Sequence, residues 1–460
     1  MTLAGRQIHF VGIGGVGMSA LARMALDQGA VVSGCDARDG AAVRAFVERG
    51  CTVHRGHDAS HLLGVELVVR SSAIAEESTE IQAALRMHIP VVSRARMLAR
   101  FMAGRCVIGI AGAHGKTTTT WIVGKLLIEA RRDPSVVVGG IVRELGGNYR
   151  LGSGACFVAE VDESDGSLLE FSPHYSIVTN IDHEHVDRYP DLASMQETFR
   201  RYLARTEPGG CVIVGADSAP AVETLGAWEG QRTTYGLCEG ADFQATNVRL
   251  NCMSATFDVS RPSGELKDLV LALPGRHNVQ NALAAVALAA ELGIADDVVR
   301  RAFSRLTSVG RRLETKGTAG GVLVLDDYAH HPTEIQALLD TARRVAKGRI
   351  IGVFQPHRYT RTLHLADRFG TCFEGLDLLV ILPIYGAGEK PIDGVDAGLI
   401  ERAVREHGGP PCVCCGDADA ARSFLLGVLE PGDTLLTIGA GDVYRLGEQI
   451  LDGLGGEGRA

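Results

Sequence analysis

The run Gly112-Ala113-His114-Gly115-Lys116-Thr117-Thr118 holds what a nucleoside triphosphate needs: glycines that expose backbone N–H groups, one lysine and two hydroxyls. It follows the apolar stretch CVIGIAG at 106–112 and opens a helical pattern from Thr117 to Ala130. At such a turn, successive N–H groups wrap the β- and γ-phosphates, Lys116 adds a compact positive charge, and Thr117 can place its hydroxyl on Mg²⁺. The strict G-x4-G-K-[ST] spacing would need glycine at 110, where Ile110 stands, so this is a variant ATP loop.

A second glycine loop, Gly12-Ile13-Gly14-Gly15-Val16-Gly17, fits G-x-G-x-x-G between the strand pattern QIHFVGI and a helix from Met18 to Gln28. Asp36 ends the next strand, AVVSGCD, near the spacing of a ribose-binding acid. Glycines there let the backbone approach a pyrophosphate at a helix N-terminus. NAD and a sugar nucleotide both present a pyrophosphate, so the loop itself says only "diphosphate"; a tight turn without ligand is the bland alternative. Two phosphate loops of different type imply two different phosphorylated ligands, which a simple dehydrogenase does not need.

Acidic residues gather at the ends of two further strands. FVAEVDESDGS ends in Glu160, Asp162, Glu163 and Asp165, and PHYSIVTNIDHEHVDRY ends in Asp182, His183, Glu184, His185 and Asp187. Carboxylates at the C-terminal ends of parallel strands lie where such folds bind ligands, and with Thr117 they could hold Mg²⁺, an oxygen-seeking ion. Solvated acidic loops are the competing reading. His183-Glu184-His185 is a poor zinc signature, since adjacent residues share no helix face.

The elements that position these groups alternate: short β-branched runs with Ala- and Leu-rich helical patterns, the mark of α/β layers with mostly parallel sheets. A third such unit is GVLVLDDY at 321–328, followed by His-His-Pro and a helix from Thr333 to Val345, with Pro332 suited to the helix start. The 460 residues suggest roughly three domains of ~150. We place them at 1–105, 106–313 and 314–460: a Rossmann-like N-terminal domain, a central P-loop-type domain, and a C-terminal Rossmann-like α/β domain. The formal charge of −9 argues against a broad nucleic-acid footprint, and no apolar run approaches a membrane span. Eleven scattered cysteines, Cys412, Cys414 and Cys415 among them, suggest reduced thiols in the cytoplasm rather than disulfides or a metal.

The stretches HFVGIGGVGMSALA, RSSAI, AGAHGKTTTT, AEVDESDGS, VTNIDHEHVD, PGRHNVQNALAA, DDYAHHPTEI, FQPHRYTRT, GAGEKPIDGVD and GAGDV occur in one order from His9 to about Leu446. In these the chain resembles the Mur ligase family of bacterial peptidoglycan assembly, in particular its alanine-adding branch. The resemblance implies a UDP-sugar in the N-terminal domain, ATP and Mg²⁺ in the central one, and a C-terminal domain closing over both. It implies UDP-N-acetylmuramate and L-alanine as partners, with no nucleic acid and no membrane, in a monomer or weak homodimer.

Carried over by motif, Gly12, Gly14, Gly15, Gly17, Met18 and Ser19 resemble the UDP-binding turn, with Asp36, Ser71 and Ser72 beside it. Gly112, Ala113, His114, Gly115, Lys116, Thr117 and Thr118 resemble the ATP loop, joined by Asn180, His277, Asn281, Arg311 and Asp327. Thr117, Glu160 and His185 match the metal ligands, and Tyr328, His330, Arg358 and Arg361 the amino-acid pocket. Lys116, His185, Arg312 and His330 are the residues expected to act on the reacting groups. Arg358 and Arg361 are three apart, so a helical turn would put both guanidinium groups on one face, able to grip a carboxylate; pairing of Arg361 with an acid such as Asp367 is the alternative.

The chain departs from the family pattern at Ala113, Glu184, Gln280, Arg96 and Ser308. Sister ligases that act later carry a lysine soon after the metal histidine, and none occurs between Val186 and Gly210. Three rival readings remain: an NAD-dependent oxidoreductase, a nucleotide-gated switch, and a sister ligase adding a preformed peptide to the same UDP-sugar.

Overall fold

The computed structural model describes residues 3–164, 166–184 and 188–455. His185, and with it Asp165 and Asp187, lies outside the described residues. The chain builds three separate sheets in sequence order. The first is wholly parallel, in spatial order Thr52–Arg55, Val31–Asp36, Gln7–Val11, Leu67–Arg70, Val91–Ser93. Its order reverses between Gln7–Val11 and Leu67–Arg70, and a ligand crevice forms at such a switch point. The Gly12 loop leaves the first of these strands, and Ser71 and Ser72 leave the second.

The second sheet has ten strands. Its centre is parallel: Ser135–Val142, Cys156–Glu160, Cys106–Ala111, Tyr175–Val178 and Cys211–Gly215 lie side by side. Antiparallel strands extend both edges. The 112–115 loop, Glu160 and Thr179-Asn180 therefore leave three adjacent strands at the same end. The third sheet sets antiparallel Glu314–Ala319 beside five parallel strands, among them Val322–Asp327, Thr434–Ile438 and Ile350–Phe354. The expected α/β class with mostly parallel sheets is what the chain adopts, and the helix after His-His-Pro begins at Pro332.

Val, Ile and Phe dominate the central strands because both faces are covered by helices. Ile108, Ile110, Val158 and Ile177 meet the helices Lys116–Glu129 and Arg276–Glu291 on one face. The other face is continuous with the first sheet: Met97 and Phe101 belong to the same buried cluster as Leu168, Phe171 and Phe157. The third sheet has two buried clusters of its own, one on each face. Among the described residues, no helix is long and apolar enough to cross a membrane.

Gly109 shows how tightly the strand feeding the 112–115 loop is backed. A Cβ there would lie 2.5 Å from the Tyr202 hydroxyl, which is fully buried and donates to Gly109 O at 3.3 Å. Gly109→Ala should therefore lower stability by about 1–3 kcal/mol through overpacking. Adding Tyr202→Phe, which removes the clashing oxygen, should restore part of the loss. Thermal denaturation of the single and double variants tests this; an unaffected single variant would show that the strand is not so confined.

Candidate functional site

The loop after Cys106–Ala111 turns sharply. Gly112 and Gly115 have φ of +130° and +82°, and a Cβ at either would fall 2.2 Å from Thr179 Oγ1 or 2.4 Å from Asn281 Oδ1. Both need glycine for conformation and for space. The turn is held from the neighbouring strand end. His114 N donates to Asn180 Oδ1 at 2.9 Å, Asn180 Nδ2 donates to His114 O at 3.0 Å, and Thr179 Oγ1 donates to the same carbonyl at 2.7 Å. Asn180 thus braces the loop.

Lys116 begins the following helix, and its ammonium donates to Glu163 Oε1 at 2.7 Å and to Gly112 O at 2.5 Å. Burial alone would favour the neutral amine; Glu163 and Asp162 reverse this and push the lysine above its ordinary range. Thr117 Oγ1 donates to Glu160 Oε2 at 3.1 Å, and Gly139 N donates to the other carboxylate oxygen. Burial raises the Glu160 carboxyl despite Gly139, Lys116 and Thr117. A half-buried carboxylate beside a hydroxyl suits a small hard cation: the donors are oxygens, and a cation would keep Glu160 ionised.

Two cavities meet here. One, of about 460 Å³, is lined by Gly115, Thr118, Asn180, His277, Asn281 and Asp327, together with Asp217 and Tyr235. Gln280 donates to Asp217 at 2.8 Å beside it, so this departure makes a bond of its own. Burial, then Arg312, lowers His277 to about 4, leaving a neutral ring. The Asp327 carboxyl is raised to about 6, mainly by burial, and accepts from Leu313 N and Ala329 N at 2.6 and 2.8 Å. The other cavity, of about 1190 Å³, is lined by Gly15, Gly17, Met18, Ser71 and Ser72 from the first sheet, and by Ala113, Lys116, Thr117 and Glu160 from the second. Tyr328 and His330 line it from the third. Arg312 and Ser308 line both cavities.

Several expected site residues hold the loops in shape, and of these Arg311 also lines the larger cavity. Asp36 accepts from Gly14 N at 2.9 Å and Arg38 N at 3.0 Å, so both carboxylate oxygens are engaged by backbone. Ser19 is buried and donates to Val16 O at 3.0 Å, while Gly12, at φ +83°, packs against Ser71. Arg311, itself at φ +60°, donates to Asp326 at 3.0 Å and to the carbonyls of Gly439 and Gly441 at 2.6 and 3.0 Å. Arg312 makes no hydrogen bond among the described residues and lies over the Tyr328 ring at 5.3 Å.

The helical pairing of Arg358 with Arg361 needs correction. The helix starts at Tyr359; Arg358 precedes it at φ +71° and approaches Glu389 at 3.9 Å, so the two do not share a helical face. Arg361 sits against His357, donating to its carbonyl at 3.4 Å, and its charge helps hold His330 and Glu184 in their low ranges. The acid proposed as its alternative partner, Asp367, pairs with His407 at 3.3 Å. His330 contacts Tyr328 and His357, with ring centroids 5.4 and 5.8 Å away, and burial lowers it to about 4.

Sequence reading passed over Arg94 and Glu334, named Asp162 and Asp182 only as possible metal ligands and Arg96 only as a departure, and so missed how these residues join the domains. Arg94 lies against Gly17 and reaches Asp162 at 3.6 Å, linking the two glycine-loop regions, while the departure Arg96 pairs with Glu170 at 3.2 Å. Glu334 accepts from His330 N at 3.0 Å and meets His114 Nδ1 at 3.2 Å. Asp182 meets His114 Nε2 at 3.3 Å and accepts from Thr333 Oγ1 at 2.9 Å. The one signal available was Glu334, three residues after His331, where a capping acid belongs.

Three family models match in chain order: "Mur ligase family, catalytic domain" over residues 7–105, "Mur ligase middle domain" over 110–289, and "Mur ligase, glutamate ligase domain" over 311–441. The chain belongs to the Mur ligase family. It is 45% identical over 454 residues to the UDP-N-acetylmuramate–L-alanine ligase of Desulfosudis oleivorans, covering 98% of this chain and 99% of that relative. It is 43% identical over 445 residues to the enzyme of the same name from Desulfatibacillum aliphaticivorans, covering 96% and 98%. Among solved structures, UDP-N-acetylmuramate-alanine ligase MurC from Thermotoga maritima matches with a TM-score of 0.81 at 28% identity, covering 97% of this chain and 98% of that one. This Mur ligase thus aligns with its relatives over nearly their whole length.

The His114 cluster gives a pH dependence. Burial would lower His114, but hydrogen bonds to Asp182 and Glu334 push it up to about 10. A folded value above the ordinary 6.5 means the stabilisation is complete below about pH 6.5 and is lost as pH rises through about 10. The gap in thermal midpoint between wild type and His114→Gln should therefore narrow steadily over that window. A gap independent of pH would show that His114 carries no charge in the folded chain.

Proposed function

We propose that the chain joins L-alanine to the lactyl carboxylate of UDP-N-acetylmuramate, with ATP cleaved to ADP and phosphate. The observation that carries this reading is the shared cavity. A helix N-terminus with a glycine loop and a lysine-bearing phosphate loop open onto one space, so a carboxylate on one ligand can reach the terminal phosphate of the other. An NAD-dependent oxidoreductase would leave Lys116 and Glu160 without a task, and a nucleotide switch would not need Tyr328 and His330 lining the same cavity. We take the three sheets as three domains, 1–105, 106–313 and 314–460. Eleven unpaired cysteines support a reducing compartment, the cytoplasm.

In this reading the pyrophosphate of the UDP-sugar lies on Gly15, Gly17 and Met18, facing Ser71 and Ser72. The ATP phosphates lie on the loop 112–118, and its nucleoside fills the cavity of about 460 Å³ between His277 and Asn281. Thr117 and Glu160, with His185, would hold Mg²⁺, which when bound neutralises phosphate charge. The lactyl carboxylate oxygen attacks the terminal phosphorus and the bond to ADP breaks, giving an acyl phosphate. Lys116 Nζ and Arg312 balance the charge moving between the oxygens, by positioning and electrostatics. The amine of alanine then attacks the acyl carbon, and phosphate leaves with the electron pair of the broken C–O bond. His330 Nδ1 faces Tyr328 O at 3.0 Å, so the neutral ring carries its proton there and keeps Nε2 as an acceptor for the amine. Arg361 holds the carboxylate of alanine that does not react.

Phosphate release with UDP-N-acetylmuramate, ATP, Mg²⁺ and each amino acid in turn tests the reading. L-alanine should give ADP, phosphate and amide in equal amounts. Release that depends on a preformed peptide instead, or on no amine at all, would overturn it. Lys116→Ala should fold and lose about a hundredfold to a thousandfold in rate; near-normal turnover would remove Lys116 from the transferred phosphate. Arg361→Lys keeps the charge but loses the planar fork. It should raise the Michaelis constant for alanine well above any change for ATP or the UDP-sugar, as titration of each substrate will show.

A further inference from the structure

The first sheet buries its second face against the helix Thr79–Arg86 and the short turn Ala59–Leu62, and the apolar cluster there is small. Side chains of another kind complete it. His9 and Glu80 are fully buried, Cys35 likewise, and His61 is 10% exposed. Glu80 Oε1 lies 3.0 Å from His9 Nε2 and 2.9 Å from His61 Nδ1, and Glu80 Oε2 lies 2.9 Å from Cys35 Sγ. One donor atom from each of the four residues falls within 4.8 Å of every other.

We propose that His9, Cys35, His61 and Glu80 form a structural site for a divalent transition metal, zinc in the first place. Four donors from two adjacent strands, a turn and a helix lie within 4.8 Å of one another, and two imidazole nitrogens, a thiolate and a carboxylate are a zinc set rather than a magnesium or calcium one. With Zn–N near 2.0 Å and Zn–S near 2.3 Å, tetrahedral edges are roughly 3.3–3.6 Å. The three contacts to Glu80, at hydrogen-bond length, need to open by only about half an ångström to reach that, and every pair of donor atoms already lies within 4.8 Å. Charge closes as well: thiolate and carboxylate cancel the two charges of the ion, and the buried site is neutral. On binding, the Cys35 thiol gives its proton to solvent as the S–metal bond forms.

The surroundings orient the ligands. His9 Nδ1 bonds Ser33 Oγ at 2.8 Å, which leaves Nε2 turned to the centre, and His54 stacks on His61 with centroids 4.0 Å apart. His57, 26% exposed, lies 2.9 Å from Glu80 Oε2 and 3.3 Å from Cys35 Sγ, on the route from solvent. The Cys35 carbonyl accepts from Gly12 N at 2.9 Å and Ile13 N at 3.1 Å. A metal here would fasten the floor of the first glycine loop, whatever reaction the chain performs.

Full-length chain stripped with a chelator and titrated with Co²⁺ tests this. One equivalent should give a thiolate-to-cobalt charge-transfer band and the strong d–d bands of a tetrahedral ion, both displaced by Zn²⁺. Cys35→Ser should lose the charge-transfer band, His61→Asn, at a partly exposed position, should weaken the d–d bands, and Cys414→Ser should keep both. Zn²⁺ should raise the thermal midpoint of wild type and not of Cys35→Ser. A chain that shows no charge-transfer band, or one whose band survives Cys35→Ser, has a hydrogen-bonded network around Glu80 and no metal site.

Discussion

The peptide of His114 is held by three hydrogen bonds from Thr179 and Asn180, and much of the site depends on that clamp. Gly112 and Gly115 make the turn possible, but glycines are free to make other turns as well. Asn180 removes that freedom: its amide pairs with both the N–H and the carbonyl of one residue, so the loop has a single orientation relative to the adjacent strand. Lys116 follows two residues later, and its side chain can return to Gly112 O only because the turn is fixed. The same peptide aims the His114 ring at Glu334 and Asp182, so the phosphate loop and the contact with the third sheet are set by one constraint.

In this state the ammonium of Lys116 is committed, to Glu163 and to two carbonyls of its own loop. A buried lysine with no anion would be costly. Glu163 and Asp162 keep it protonated. Arg94 extends the arrangement to the first sheet by its approach to Asp162.

The parts legible in the sequence were those with local causes. Strands ending in glycine, a lysine two residues after a histidine, and proline after His-His all act within a few residues of themselves, and the elements form where those signals stand. What was not legible depends on elements far apart in the chain. Asp36, read from its spacing after the first glycine loop, and Arg311, expected from the family resemblance, also hold backbone groups that no local pattern announces: Gly14 N for one and three carbonyls of the segment 439–441 for the other. Arg358 did mislead. Three-residue spacing puts two side chains on one face only inside a helix, and a left-handed residue one step before the helix breaks the rule. Glu334 and Asp182 matter because they meet His114, more than 60 residues from either, and no local pattern announces such a meeting.

The two flanking sheets are attached to the central one by different forces. The first shares a buried apolar cluster with it, through Met97, Phe101, Leu168 and Phe171. The third shares none among the described residues, and meets its neighbours through polar groups: His114 and Asp182 with Glu334 and Thr333, Arg368 with Asp182 at 3.5 Å, and Arg38 with Tyr385 at 3.0 Å. Separating apolar surfaces exposes them to water at a cost that scales with area, whereas hydrogen bonds and ion pairs can be exchanged for bonds to water and are weakened by salt. The attachment of the third sheet is therefore the more exchangeable of the two, and the one more open to weakening by salt. In the proposed reading the third sheet carries Tyr328, His330 and Arg361, the residues set against the substrate that reacts last. The group of contacts that bears on that substrate is thus held to the rest of the chain by charges and hydrogen bonds rather than by apolar surface.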